Sequence, residues 1–215
     1  INAGLVGSEM CIRDSTHMVR VNDAEVDILA ESGASVAHCP TTALKVAYGV
    51  TQVGKFPEMV QKGVNVSLGT DGNNASNYSD LMRASYLAAG IFKDAREDPQ
   101  MFPAEKAFEM ATIDGAKTLL MDQEIGSLEI GKKADLVLHD TDRPEWRPLL
   151  NVMNQLVWSA DGRGVHTVLV DGQTVVEDGR CLTVDEEKLW SDVQQMGEAI
   201  TGRSGLPDKA KFPTL

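Results

Sequence analysis

Cysteine is scarce in this sequence: three residues, Cys11, Cys39 and Cys181, an odd number with no CxxC spacing. That excludes a disulfide framework and a cysteine-built structural zinc site, and it fits a reducing cytoplasm. Aromatic residues make up 5% of the chain, and Trp146, Trp158 and Trp190 read as packing. No apolar run has the length to span a bilayer, and no segment has the pattern of a signal peptide. Basic residues fall short of acidic ones, 20 against 32, for a formal net charge of -12. Nucleic acid and anionic membranes would repel such a chain, so neither is expected as a partner. Internal repeats and low-complexity linkers are missing too. What remains, 42% hydrophobic and 24% charged residues over 215 positions, is an ordinary globular composition, sufficient for one good core.

The most informative stretch is Val64-Asn65-Val66-Ser67-Leu68-Gly69-Thr70-Asp71-Gly72. It begins as a β-branched apolar run, the pattern of a buried strand, and stops in a turn that carries a carboxylate. In barrels and open α/β sheets, the carboxyl ends of the strands are where chemistry sits. Upstream, Thr16-His17-Met18-Val19 reads as the end of another strand. Asn22 and Glu25 then form a capping-box pattern, Val26, Leu29 and Ala30 form an apolar stripe, and Gly33 sits at a helix C-cap. Ser35-Val36-Ala37-His38 is the next strand, and 56–62 is a short helix stopped by Gly63. Strand, helix, strand, helix, strand at this spacing means parallel βα units. The three strands end at His17, His38 and Asp71, which suggests an active-site rim.

Beyond Asp71 the pattern predicts a helix over 77–95 and two more within 102–120, the first opened by Pro103. Asn73, Asn74 and Asn77 read as caps of the helix that follows. Around Gly126 the character changes to strands: Leu136-Val137-Leu138-His139, then 165–170 and 173–176 joined by Asp171-Gly172, the favoured two-residue hairpin turn. His139 and His166 lie on these strands and read as structural. Thr183 with Glu186 predicts the start of a final helix, and 202–215 reads as a tail. At the other end, Glu9-Met10-Cys11-Ile12-Arg13-Asp14-Ser15 resembles the translation of a transposon-end adaptor used to prepare sequencing libraries. Residues 1–15 are therefore set aside as non-native, with the expectation that the chain is a fragment.

Taken in order, Thr16-His17, Val36-Ala37-His38-Cys39-Pro40-Thr41, Leu68-Gly69-Thr70-Asp71-Gly72, Ala111-Thr112-Ile113-Asp114-Gly115-Ala116 and Gly126-Ser127-Leu128-Glu129-Ile130-Gly131-Lys132-Lys133-Ala134-Asp135-Leu136 resemble the amidohydrolase superfamily. The resemblance is to the branch of S-adenosylhomocysteine/methylthioadenosine deaminases, guanine deaminases and triazine chlorohydrolases. It covers residues 16 to about 200, and it implies an α/β fold: the C-terminal part of a metal-dependent (β/α)8 barrel plus strands of a small β-sandwich domain. On that basis 16–125 holds the last three βα units and the following helices, 126–182 the sandwich segment, and 183–201 the C-terminal helix. The family's members are about twice as long.

The resemblance also implies one divalent metal, zinc first and iron second, and a small N-heterocyclic substrate; a homodimer is the family expectation. Asp71 matches the family's metal-ligand aspartate, which also accepts and returns a proton. His17 matches the sixth-strand histidine near the substrate, and His38 is the second candidate for substrate contact. Arg20 stands where a fifth-strand HxxE motif would carry glutamate, so His17 is not the fifth-strand ligand; the HxH pair and HxxE are not in this chain. Thr42-Ala43 replaces the family's frequent Ser-Asn pair. The implied reaction is hydrolysis of a cyclic amidine, an aminohydrolase (deaminase) acting on a nucleoside or N-heterocycle. A triazine-type chlorohydrolase and a non-catalytic scaffold are the alternatives. This chain alone is expected to be inactive.

Overall fold

The computed structural model describes residues 14–205, and its first half is organised by a parallel sheet of three short strands. These are β1 (Asp14–Thr16), β2 (Ser35–His38) and β3 (Asn65–Leu68), in the order β1-β2-β3. A parallel pair cannot be joined by a tight turn. Here α1 (Asp23–Ser32) connects β1 to β2, and α2 (Pro40–Lys45), α3 (Val50–Val53) and α4 (Phe56–Gln61) connect β2 to β3. The α1 termini follow the sequence. Asn22 Oδ1 accepts the Glu25 amide at 3.0 Å, Glu25 Oε2 accepts the Asn22 amide at 2.7 Å, and Gly33 closes the helix at φ 66°.

Strand alternation divides this sheet into two different faces. Val36, His38, Val66 and Leu68 point into a core with Phe56, Met59 and Phe92, the last three wholly buried. Truncating such a phenylalanine to alanine costs about 3–5 kcal/mol. Ser35, Ala37, Asn65 and Ser67 fall on the other face. A polar cluster occupies its amino end: Asn65 Nδ2 lies 3.0 Å from Ser35 Oγ and from Thr118 Oγ1, and Thr118 Oγ1 donates to Ser67 Oγ at 2.9 Å.

After β3 come α5 (Asn73–Ser76), α6 (Leu81–Ala95), α7 (Ala104–Ala111) and α8 (Ile113–Thr118). The helix expected over 77–95 starts later. Asn77 is left-handed at φ 58° and ends α5, while Asp80 Oδ1 caps α6 by accepting the Met82 and Arg83 amides at 2.8 and 3.3 Å. Asparagine tolerates that conformation better than other side chains, so the helical pattern is interrupted there.

The second half is a four-stranded antiparallel sheet, β4 (Leu136–His139), β5 (Val165–Val170), β6 (Gln173–Glu177) and β7 (Arg180–Cys181), in that order. The β5–β6 turn is Asp171-Gly172, with φ 51° and 77°, the positive pair that a type I′ turn requires. Between β4 and β5 lies α9 (Val152–Trp158), and α10 (Glu186–Ser204) closes the described chain. The cap expected at Thr183 is instead Asp185, whose Oδ1 accepts the Lys188 amide at 3.0 Å; Glu186 is turned back to the Cys181 amide. The helix also continues past 201, into the segment read as tail, and 206–215 lie outside the described residues.

Asp14 and Ser15, set aside with the N-terminal segment, pair with Ser35 and Val36 as part of β1. Ladder pairing uses backbone groups, so it requires no apolar signature. Residues 1–13 of that segment lie outside the described residues.

Candidate active site

His17 follows β1 directly and keeps the ladder going, its amide donating to Ala37 O at 3.0 Å. Continuing the alternation would turn its side chain away from the Ala37 face. The chain avoids this with a γ-turn: Met18 N donates to Thr16 O at 3.0 Å across His17, whose φ is 72°. Asp71 lies beyond the end of β3, also left-handed at φ 61°. The two turns bring His17 Nε2 to 3.5 Å from Asp71 Oδ2, with side chains 30% and 25% exposed. That separation is loose for a hydrogen bond and leaves both groups open to a ligand.

The other Asp71 oxygen is occupied, Oδ1 accepting the Gly72 amide at 2.6 Å. That bond, and then the nearby Thr42 hydroxyl, hold the carboxyl below the usual aspartate range, with His17 adding a smaller pull against the effect of burial. The Thr42 hydroxyl faces the carboxylate outside strict hydrogen-bond geometry and has no other partner among the described residues. Asp71 is therefore ionised at neutral pH with Oδ2 free to act. Tyr48 meets the His17 ring edge-on, centroids 5.6 Å apart and planes at 81°.

His38 is elsewhere. Because it lies within β2, alternation sends it to the helix-covered face, where it is fully buried against Phe56 at a centroid distance of 3.8 Å. Neither ring nitrogen has a hydrogen-bond partner among the described residues, and burial pushes its pKa down to about 3, with His17 adding to the effect. It is a neutral core histidine, corrected here from a rim residue that contacts substrate. Asn73 and Asn74 make no N-cap bond to α5, whose N-cap is Gly72 without side-chain help, whereas Asn77 is its C-cap, its backbone amide donating to Asn73 O at 2.9 Å. Asn73 accepts from Ser79, and Asn77 donates to Asn73 O. His166 pairs with Asp178 at 2.8 Å on the antiparallel sheet, and His139 lies beside Trp146 there.

Sequence reasoning missed Tyr48 as a neighbour of His17; Cys39 is a buried free thiol. Two surface hollows, of about 320 Å³ beside Phe102 and about 210 Å³ between Arg143 and His166, include none of His17, Tyr48 or Asp71.

Asp71 Oδ2 suits a divalent cation, being a hard, ionised, accessible oxygen beside an imidazole. Among the described residues, however, no group of three or more His, Cys, Asp or Glu side chains is arranged to hold a metal. Zinc sites take about three protein ligands, and the described residues bring together fewer than that around Asp71.

The chain as a whole is similar to known proteins. Residues 2–175 match the amidohydrolase family, and the chain belongs to that family. The 5-methylthioadenosine/S-adenosylhomocysteine deaminase of Thermoanaerobacter pseudethanolicus is 39% identical over 189 residues, covering 88% of this chain and 43% of the relative. The 5'-deoxyadenosine deaminase of Methanosarcina mazei is 37% identical over 189 residues, with the same 88% and 43% coverage. A zinc-bound adenosine deaminase from Xanthomonas campestris superimposes with a TM-score of 0.82 at 31% identity, over 88% of this chain and 42% of that one. A zinc complex of an atrazine chlorohydrolase from Arthrobacter aurescens shares the fold at a TM-score of 0.78 and 23% identity, over 85% of this chain and 40% of that one. The chain thus spans about two fifths of the length of the relatives it matches.

Proposed function

We propose that this chain carries the closing part of the active site of a metal-dependent aminohydrolase whose substrate is an adenine nucleoside. The observation that supports it is the Asp71–His17 pair, 3.5 Å apart at the carboxyl ends of parallel strands, in a chain 37–39% identical to two nucleoside deaminases. In such a reaction a water oxygen bonds to the ring carbon bearing the amino group, the carbon–nitrogen bond breaks, and ammonia leaves. A divalent metal bound here, zinc by analogy with the Xanthomonas structure, would supply an activated water by lowering its pKa to about 7.

The chain's own residues have two tasks. Asp71 would help to hold the metal, and its carboxylate takes the proton of the attacking water and passes it to the departing nitrogen. His17 Nε2 donates a hydrogen bond to the oxygen that becomes the new carbonyl. Protonation of the ring nitrogen falls to a residue outside this chain.

The test is a fusion of residues 14–205 to the portion of the Thermoanaerobacter relative that this chain does not span. Incubated with zinc and 5'-deoxyadenosine or methylthioadenosine, the fusion is expected to release ammonia, and a chelator to stop it. A cooperatively melting fusion that releases chloride from atrazine and no ammonia from nucleosides would replace this reading with a chlorohydrolase. Release of neither would favour a non-catalytic scaffold.

A further inference from the structure

We infer that Tyr48 is a positioning residue for His17: its ring, presented by the turn after α2, meets the imidazole edge-on and fixes the plane in which Nε2 faces Asp71 Oδ2. The inference rests on the reading of His17 as the hydrogen-bond donor of the proposed reaction, and it concerns what sets the orientation of that donor.

A working imidazole is commonly held in one orientation by a hydrogen bond to its second nitrogen. In His17 that nitrogen, Nδ1, is buried and has no hydrogen-bond partner among the described residues. Its Nε2 lies 3.5 Å from Asp71 Oδ2, too far to fix the ring. The left-handed backbone, at φ 72°, sets only where the side chain starts, and rotation about the Cβ–Cγ bond of a histidine is broad. The aromatic contact supplies the missing constraint. Tyr48 and His17 have centroids 5.6 Å apart and planes at 81°, within the range where edge-to-face pairs are favourable. Turning the imidazole about its own bond would break that geometry and swing Nε2 away from the carboxylate.

Tyr48 is itself held for this task. Its amide donates to Ala43 O at 3.0 Å and Val46 N donates to Thr42 O at 2.9 Å, which folds the turn back onto α2. The residues on either side are left-handed, Ala47 at φ 58° and Gly49 at φ 78°, and for alanine that conformation persists only where the surroundings impose it. A second contact joins the same two segments: Arg20 Nη2 lies 3.6 Å from where a β-carbon on Gly49 would stand. The stretch after β1 therefore lies against the turn at both 17 and 20. Tyr48 is 38% exposed and lies outside the buried core, so packing alone does not account for its place.

Carbethoxylation by diethyl pyrocarbonate, resolved by peptide mass spectrometry on the chain at low micromolar concentration, reads the His17 ring without turnover. Tyr48→Ala is expected to raise the His17 rate by about twofold to tenfold, the loss of one edge-to-face contact, while exposed His166 is unchanged and buried His38 stays unreactive. Tyr48→Phe, which keeps the ring, is expected to restore the slow rate, and Tyr48→Leu, which fills the space without a ring, is not. An unchanged rate in Tyr48→Ala, an equal rise at His17 and His38, or recovery by leucine as full as by phenylalanine would overturn the inference in favour of simple packing. In the fusion enzyme, Tyr48→Ala is expected to lower kcat about tenfold with KM unchanged, a misplaced group costing up to about 10²-fold, and Tyr48→Phe to recover most of it. A raised KM with kcat kept would make Tyr48 a substrate contact and overturn the inference, as would full activity in Tyr48→Ala. A folded but inactive fusion with Tyr48 intact would instead count against the deaminase reading, and the His17 labelling result would stand apart from it.

Discussion

His17 Nε2 lies 3.5 Å from Asp71 Oδ2, and each residue reaches that contact through a backbone with positive φ, 72° and 61°. Neither residue is a glycine, so each turn carries strain that the surrounding sheet must hold, as is common where geometry serves chemistry. His38, in the middle of regular β geometry, has no such turn and points the other way. The difference between a rim histidine and a core histidine in this chain is one left-handed residue.

Kinetics should separate the two histidines. In the fusion enzyme His17→Ala is expected to lower kcat by about 10²-fold, the usual consequence of removing one donor to a developing oxyanion. His38→Leu, a change on the opposite face, is expected to stay within a few-fold of wild type. Equal losses from both substitutions would contradict the assignment of the rim.

Acid should destabilise the chain through His38. Its folded pKa is about 3 against an ordinary 6.5, so below pH 6.5 the unfolded chain takes up a proton that the folded chain refuses. Stability is therefore full above 6.5 and falls as pH drops toward 3. His139, whose pKa is also lowered by burial, contributes in the same direction. Urea midpoints at pH 7 and pH 5 are expected to differ clearly in the wild type and less in His38→Leu. An identical pH dependence in the two would rule out His38 as the source.

The Ala111-Thr112-Ile113-Asp114-Gly115-Ala116 motif has a structural role that can be weighed. The Asp114 carboxylate, 4% exposed, meets Lys106 Nζ at 2.6 Å and Lys117 Nζ at 2.9 Å. Burial pushes its pKa up, and the two lysines outweigh that and hold it below the usual range. Both lysines are partly solvated, so Asp114→Ala is expected to cost about 2 kcal/mol, less than a fully buried pair would. For a domain of this size that is roughly 4–8 °C in Tm by calorimetry. A shift under one degree would show the triad to be a solvated surface cluster.

Much of this architecture was legible from local chemistry. The Asn22–Glu25 capping box, the Gly33 stop, the Asp171-Gly172 hairpin and Leu136–His139 follow from residues next to one another. The parallel units were legible from spacing. What failed was parity. His17, His38 and Asp71 all mark strand ends, and the polar residues alone do not reveal which of them turns out of the alternation. Tyr48 was missed for a related reason: Ala47 at φ 58° and Gly49 at φ 78° flank it, and a turn of that kind is not evident from residue types. Asn77 showed the same weakness, with a helical pattern running through a residue that is left-handed in the structure.

The isolated chain is expected to self-associate. On α10, Leu189, Trp190, Val193, Met196 and Ile200 are between 47% and 64% exposed and form a continuous apolar stripe. Light scattering after gel filtration at tens of micromolar should show species heavier than the 23.3 kDa monomer. The same sample is expected to retain no stoichiometric zinc and to show no deaminase activity. A monodisperse, zinc-loaded, active monomer would refute all three expectations.

The most direct test of the central claim is to measure metal content and turnover together in the fusion enzyme with Asp71→Asn. The substitution keeps the shape and removes the charge and the proton-accepting oxygen. If Asp71 is both ligand and proton carrier, bound zinc falls well below one per chain and ammonia release from 5'-deoxyadenosine is lost, while the circular dichroism spectrum is unchanged. A variant that keeps its zinc and deaminates at the wild-type rate would show that the chemistry does not pass through Asp71.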